Sequence, residues 1–360
     1  MNYYCTLFDS NYLLRGYTMV HSLLEKDTNS FIFIFAFDDS AFESLSKLSL
    51  SRVRVISLKE FENETLLSIK TSRSAGEYCW TCTPWVIKYC LENFEIGHCT
   101  YVDADLYFFA NPQVLLDEVK DSSILITEHR YSERYDVTRT SGRFCVQFIL
   151  FRNDTYGLTA LHWWADKCID WCYARFEDGK FGDQKYLDDW ETRFEKVHVL
   201  NHLGGGVAPW NLQQYVLTYS SENSIRLIEL SSGKEFDLVF YHFHEVKLKD
   251  GELDIVLYYE IPSASIAIHI LYFNYLKENN QFLSDFKKEM FNELAKCLLS
   301  NYYLLSEQYN DLFLKFNYLS KSNKLKRIFG AIFNRLFTIK LLIRKKILIK
   351  YSVFRKKNIS

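Results

Sequence analysis

Asp103 and Asp105 stand one residue apart at the end of the apolar run Cys99-Thr100-Tyr101-Val102, in a stretch that continues Leu106-Tyr107-Phe108-Phe109. In an extended segment, alternation puts both acids on one side and Ala104 on the other. Two carboxylates that close repel and lose hydration, so the pair is costly unless a cation or a proton sits between them. A hard divalent ion with oxygen ligands suits such a pair, and its open positions commonly take substrate phosphates. A solvated strand end is the other reading of the same residues.

The strand that delivers this pair belongs to an alternating series. Strand-like sequence over 3–8 leads to the turn Asp9-Ser10-Asn11-Tyr12 and a helix over 13–24, with Leu13, Tyr17, Val20 and Leu24 on one face. The wholly apolar run 31–37 fits a strand covered on both faces. A helix over 41–50, a strand over 52–58 and a helix over 84–93, with Pro84 in its first turn, continue the pattern. Asn111-Pro112 lets a short helix begin near Gln113. Strands follow at 124–127, 144–152, 194–200 and 238–244, and a Trp-rich helix over 161–176. The fold class is therefore α/β, a mostly parallel sheet with helices on both faces, and such sheets bind ligands beyond the carboxyl ends of their strands. Asp9 and the Asp pair both fall there.

Among 360 residues, 48% hydrophobic and 17% aromatic content supports a packed core. Nine scattered cysteines suggest a reducing compartment, and Cys79 and Cys82 read as core residues for want of a second pair at matching spacing. Met1-Asn2-Tyr3-Tyr4 opens no signal peptide, so a cytoplasmic location is expected. The glycine cluster in Asn201-His202-Leu203-Gly204-Gly205-Gly206-Val207 has neither P-loop nor dinucleotide spacing, although glycines let backbone approach a ligand closely. Net charge is −2, yet residues 321–360 carry 13 Lys and Arg and no acid. Ile328, Phe329, Ile332, Phe333, Leu336 and Phe337 recur there at helical spacing, in apolar runs too short to span a bilayer. A basic amphipathic helix on an anionic membrane surface fits best, and nucleic acid is not expected. Three regions are expected: a catalytic domain over 1–260, a helical extension over 261–320 that offers a face to a second copy, and the basic tail.

With these motifs in place, roughly residues 1–250 resemble GT-A glycosyltransferases, most nearly family 8 and the nucleotide-diphospho-sugar transferases of bacterial polysaccharide clusters. Thr6-Leu7-Phe8-Asp9-Ser10-Asn11-Tyr12 is similar to the family's opening segment, which implies that Thr6, Asp9, Asn11 and Tyr12 hold the donor nucleoside. Tyr101-Val102-Asp103-Ala104-Asp105 matches the Asp-x-Asp motif, implying that Asp103 and Asp105 bind Mn2+ or Mg2+ with the donor diphosphate. The resemblance makes His242, or His244 two residues on, the third metal ligand, and Lys247 a diphosphate contact. Gly182-Asp183-Gln184 resembles the segment beside the donor sugar, so Asp183 and Gln184 take catalytic roles. Arg73 substitutes for a donor-binding Arg absent from 84–93, and the strand Phe144-Cys145-Val146-Gln147-Phe148 stands where the family has Asn and Gly.

The activity implied is metal-dependent transfer of a sugar, retaining its anomeric configuration, from a nucleotide-diphosphate donor such as a UDP-sugar. The implied acceptor is a cell-surface glycan: lipopolysaccharide, capsule or lipid-linked oligosaccharide. The basic tail would place the enzyme on the inner face of the cell membrane. A nucleotidyltransferase would need a glycine-rich basic loop after the first strand, where Asp9-Ser10-Asn11-Tyr12 stands instead. A catalytically silent membrane-bound scaffold on the same fold is the alternative from another class.

Overall fold

The structure is a computed structural model that describes residues 1–221, 224–244, 246–249, 252–255, 259, 262 and 266–280. Its strands are β1 (Asn2–Phe8), β2 (Ser30–Ala36), β3 (Val53–Ser57), β4 (His98–Val102), β5 (Leu106–Phe108), β6 (Ile124–Glu128), β7 (Phe144–Arg152), β8 (Val197–Val199), β9 (Tyr215–Ser221), β10 (Ser224–Glu229), β11 (Glu235–Asp237), β12 (Phe240–His242), β13 (Val246–Lys249) and β14 (Glu252–Ile255). The helices are α1 (Leu13–Lys26), α2 (Asp39–Lys47), α3 (Leu58–Phe61), α4 (Glu64–Lys70), α5 (Ala75–Asn93), α6 (Gln113–Leu116), α7 (Thr138–Ser141), α8 (Thr155–Asp170), α9 (Trp190–Arg193) and α10 (Ile266–Asn280).

Seven strands form the main sheet in the order β3-β2-β1-β4-β7-β6-β8. Pairing is parallel except at β7, which runs antiparallel to both β4 and β6. Alternate residues of β1 enter opposite cores: Tyr4 and Phe8 join the cluster under α1, while Cys5 and Leu7 join the one under α5 and α8. Burial on both faces is why β1 and β2 lack polar alternation. The observed architecture is the α/β fold with a mostly parallel sheet and helices on both faces that the sequence implies. Because β1, β2 and β4 run in one direction, Asp9, Asp38 and Asp103 all emerge at the same edge.

Two helices differ from expectation. The polar stretch before Pro84 is helical, because Ser74 and Glu77 close a reciprocal capping box and start α5 at Ala75, leaving Pro84 inside the helix. Thr81 and Thr83 hydroxyls donate to the carbonyls of Glu77 and Cys79 in the same region. Helix α8 begins at Thr155 rather than 161, where the Asp154 side chain accepts from Gly157 N at 2.9 Å, and ends at Asp170 as Trp171 turns extended. The Trp and Cys residues beyond it are apolar without being helical, which misled the periodicity.

Of the expected extension over 261–320, the description includes α10, which packs on α1 through Asn279 Nδ2 to Thr18 Oγ1 at 3.1 Å. Tyr272 also stacks on Phe243 with ring centroids 3.7 Å apart. The basic tail over 321–360 lies outside the described residues. Among the described residues no helix is long and apolar enough to cross a membrane.

Candidate functional site

Strand register assembles the site. The β4–β7 pairing ends at Val102 opposite Phe148, so Asp103 comes opposite Gln147 and its N–H donates to the Gln147 carbonyl at 3.0 Å. A tight turn, Leu106 N–H to Asp103 O at 3.3 Å, returns the chain into β5. There β12 pairs antiparallel, setting His242 opposite Leu106, and the Phe243 N–H donates to Asp105 O at 2.8 Å. Three distant segments thereby bring two carboxylates, one amide and one imidazole together. His242 Nε2 lies 3.0 Å from Asp105 Oδ1 and 3.8 Å from Asp103 Oδ2. On its other side, His242 Nδ1 is 2.9 Å from Gln147 Oε1. The Gln147 carbonyl oxygen can only accept, so Nδ1 carries the proton and Nε2 faces the acids.

The glycine cluster serves this packing. Gly204 O accepts from Val239 N and Phe240 N, and a Cβ on Gly204 would lie 2.0 Å from Asp237 O. Gly206 holds a φ of +97°, and its Cβ would meet Thr127 Cγ2 at 3.0 Å and Gln147 Nε2 at 3.3 Å. At Gly204 the close neighbour is backbone, at Gly206 side chains of the site.

Charges in the site are strongly coupled. Burial would raise the Asp105 pKa, but the charge and hydrogen bond of His242, with Arg15 and His244 behind, hold it well below the usual carboxylate range. Asp103 is pushed up to about 6, by burial and by Asp105, against the pull of His242. Burial lowers the His242 pKa, but the two carboxylates outweigh it and raise it well above the ordinary imidazole value. A proton on Nε2 or a divalent cation can each satisfy this geometry. The donors suit a metal ion, a neutral imidazole oriented by the Gln147 hydrogen bond with a carboxylate on either side, although Asp103 and Asp105 join His242 in separate groups. One ligand atom each from Asp105, His242 and His244 lies within 4.8 Å of the others, and the same holds for Asp103, Cys145 and His242.

The remaining expected residues fall in several places. Asp9, Asn11 and Tyr12 form a turn on themselves, with Asp9 oxygens accepting from Asn11 N, Asn11 Nδ2 and Tyr12 N. Burial and then the Asp105 charge raise the Tyr12 pKa. Thr6 is fully buried within β1, its hydroxyl without a partner. Asp183 is buried, its carbonyl accepts from Trp164 Nε1 at 2.9 Å, and burial followed by the Asp103 charge pushes its carboxyl up to about 7. Gln184 turns its amide to Ser141 O at 2.6 Å. Arg73 lies over the Tyr173 ring, 3.9 Å from its centroid, and donates to Ile169 O at 3.1 Å. Lys247 lies on β13 opposite Asp254, and its side chain lies outside the described set.

Four site residues carried no expectation. Arg15 is 3% exposed, stacks over the Tyr12 ring at 3.5 Å and donates to Val246 O at 2.8 Å, so a buried cation backs the acids. A lone Arg in the apolar run Leu13-Leu14-Arg15-Gly16 was its signal. Trp210 sets its ring edge-on to His242 and His244, at 5.2 and 5.7 Å, and donates from Nε1 to His129 O at 2.9 Å. Gln147 and Cys145 are the others, brought in by the β7 register.

No family model matches the chain. The uncharacterized protein YfnF of Bacillus subtilis is 32% identical over 248 residues, which cover 67% of this chain and 80% of YfnF. The chain belongs to the YfnF family. A second B. subtilis protein, the uncharacterized YfnD, is 27% identical over 291 residues, 79% of this chain and 90% of YfnD. Solved structures with partial likeness include mouse xyloside xylosyltransferase 1, at TM-score 0.38 and 15% identity over 58% of this chain and 87% of that one. The bifunctional glycosyltransferase WbbM aligns at TM-score 0.47 and 12% identity over 80% of this chain and 50% of its own. For this YfnF-family chain, the argument for chemistry rests on the site itself.

Proposed function

We propose that this chain is a metal-dependent glycosyltransferase that moves a sugar from a nucleoside-diphosphate donor, a UDP-sugar foremost, to a cell-surface glycan, with retention at the anomeric carbon. The observation that carries the proposal is His242 Nε2 aimed between Asp105 and Asp103 at the carboxyl edge of a parallel sheet. Ligands of such sheets bind at that edge.

Asp103, Asp105 and His242 would hold Mn2+ or Mg2+, which supplies Lewis-acid stabilisation of the charge growing on the departing diphosphate. Gln147 keeps His242 in the ligating tautomer, and His242, with Arg15 behind it, favours the ionised form of Asp105. The Asp9–Tyr12 turn would hold the nucleoside, with the Arg15 guanidinium stacked over the Tyr12 ring. Asp183, its carboxyl raised to about 7, is suited to hold a proton near neutral pH beside the reacting sugar. The basic tail would keep the enzyme at an inner membrane surface, where a lipid-linked or membrane-anchored acceptor is met.

The test is release of free nucleoside diphosphate from a panel of nucleotide sugars, with and without Mn2+. The expected result is release that requires metal and falls roughly a thousandfold in Asp103→Ala, as expected for loss of several kcal/mol of metal polarisation. Tight metal-dependent binding without turnover of any donor, with acceptor glycans present, would favour the silent scaffold.

A further inference from the structure

We propose that the pocket also contains a thiophilic cation site, in which Asp103, Cys145 and His242 take Zn2+ or Cd2+ in place of the hard ion; this rests on the metal-centre reading above. Cys145 lies on β7, two residues before Gln147 and on the same side of the strand. It is 4% exposed and sits opposite Thr127 in the β6–β7 register. Its Sγ, a ring nitrogen of His242 and a carboxylate oxygen of Asp103 all lie within 4.8 Å of one another. Among the described residues, Cys145 is the one thiol that shares such a cluster with an acid or a histidine; the other group with cysteines is Cys5, Cys90 and Cys99, all fully buried.

The two ligand sets divide by softness. Asp103, Asp105 and His242 give a mostly oxygen environment suited to Mg2+ or Mn2+, whereas a thiolate beside an imidazole and a carboxylate suits Zn2+ and its heavier congener. Tetrahedral zinc with bonds of about 2.0–2.3 Å needs ligand atoms about 3.5 Å apart. Binding would draw the ligand atoms in from within 4.8 Å of one another, and the Asp103 side chain, 27% exposed, would admit a water as fourth ligand. Binding breaks the Cys145 S–H bond and displaces the Nε2 proton of His242, forms metal–sulfur and metal–nitrogen bonds, and releases both protons to solvent. His242 and Asp103 are common to both sets, so the two cations exclude each other, and Zn2+ acts as a competitor of the hard ion.

The full-length protein with one equivalent of Cd2+ and no nucleotide tests this by cadmium-edge X-ray absorption. One sulfur with nitrogen and oxygen neighbours is expected. No sulfur overturns the proposal, as does more than one, since three sulfurs would place cadmium at Cys5, Cys90 and Cys99. The sulfur-to-cadmium charge-transfer band in the ultraviolet should disappear in Cys145→Ser and persist in Cys99→Ser; the reverse also overturns it. The parent reading is checked on the same preparation. Its failure appears as no Mn2+-dependent stabilisation by nucleotide, whatever cadmium does.

Discussion

At the scale of single residues, the site is a contest between protons and a cation. Asp103 binds a cation only when ionised, and its carboxyl is raised to about 6 by burial and the neighbouring Asp105. His242 must also shed the Nε2 proton that the carboxylates hold. Mn2+ affinity, measured by titration between pH 5 and 8, should therefore rise with pH, most steeply below about 6, where both groups hold protons, and more gently above it, where His242 alone does. A flat profile would mean that neither group ligates. Asp183 offers a second pH test. Its carboxyl is raised to about 7, above an unfolded value of about 3.9, so ionisation weakens the fold as pH rises between the two. Asp183→Asn should raise the unfolding midpoint of the metal-free protein at pH 8, with the gain shrinking towards pH 4, while transfer activity is lost. Asp103 and Asp105 could be picked out in the sequence because they follow the apolar run that ends at Val102, whereas His242, with His244 as the other choice, came from the resemblance. Gln147 and Arg15 were given no role: one is chosen by β4–β7 pairing, and the other is a lone Arg in an apolar run, on a helix face that proves buried.

At the scale of elements, alternating apolar runs revealed the order of strands and helices, and β7 was legible residue for residue. Caps and side-chain hydrogen bonds, which periodicity does not detect, moved α5 and α8. Their importance is measurable. Ser74→Ala removes one half of the α5 capping box and should cost about 1 kcal/mol in denaturant unfolding, consistent with N-cap substitutions generally. Gly157 sits where a Cβ would lie 2.3 Å from Arg152 O, so Gly157→Ala should cost roughly 1–3 kcal/mol by forcing the start of α8 away from β7. Equal stability of either variant and wild type would remove that contact from the account. The sheet β9-β10-β11 went unread because polar residues interrupt β9 and β10 and β11 has three residues, although Ser232-Gly233 marks its turn.

At the scale of the whole molecule, an acidic body with its site at one sheet edge continues into 40 residues of basic, apolar-striped tail, residues 321–360. Deleting them should abolish sedimentation with vesicles of anionic lipid and leave donor hydrolysis intact; sedimentation unchanged by the deletion would contradict the anchor. The charge asymmetry is plain in sequence, whereas the convergence of β4, β7 and β12 exists only once the sheet is assembled. The most direct measurement of the central claim is thermal stabilisation of the full-length protein by nucleoside diphosphates, with and without Mn2+, compared with Asp105→Ala. A ligand specific for the folded state adds about 2.7 kcal/mol at a hundred times its dissociation constant. The account predicts a shift for wild type with a uridine or other nucleoside diphosphate only when Mn2+ is present, and none for Asp105→Ala. An equal shift in Asp105→Ala, or no shift of the wild type by any nucleotide, would contradict it.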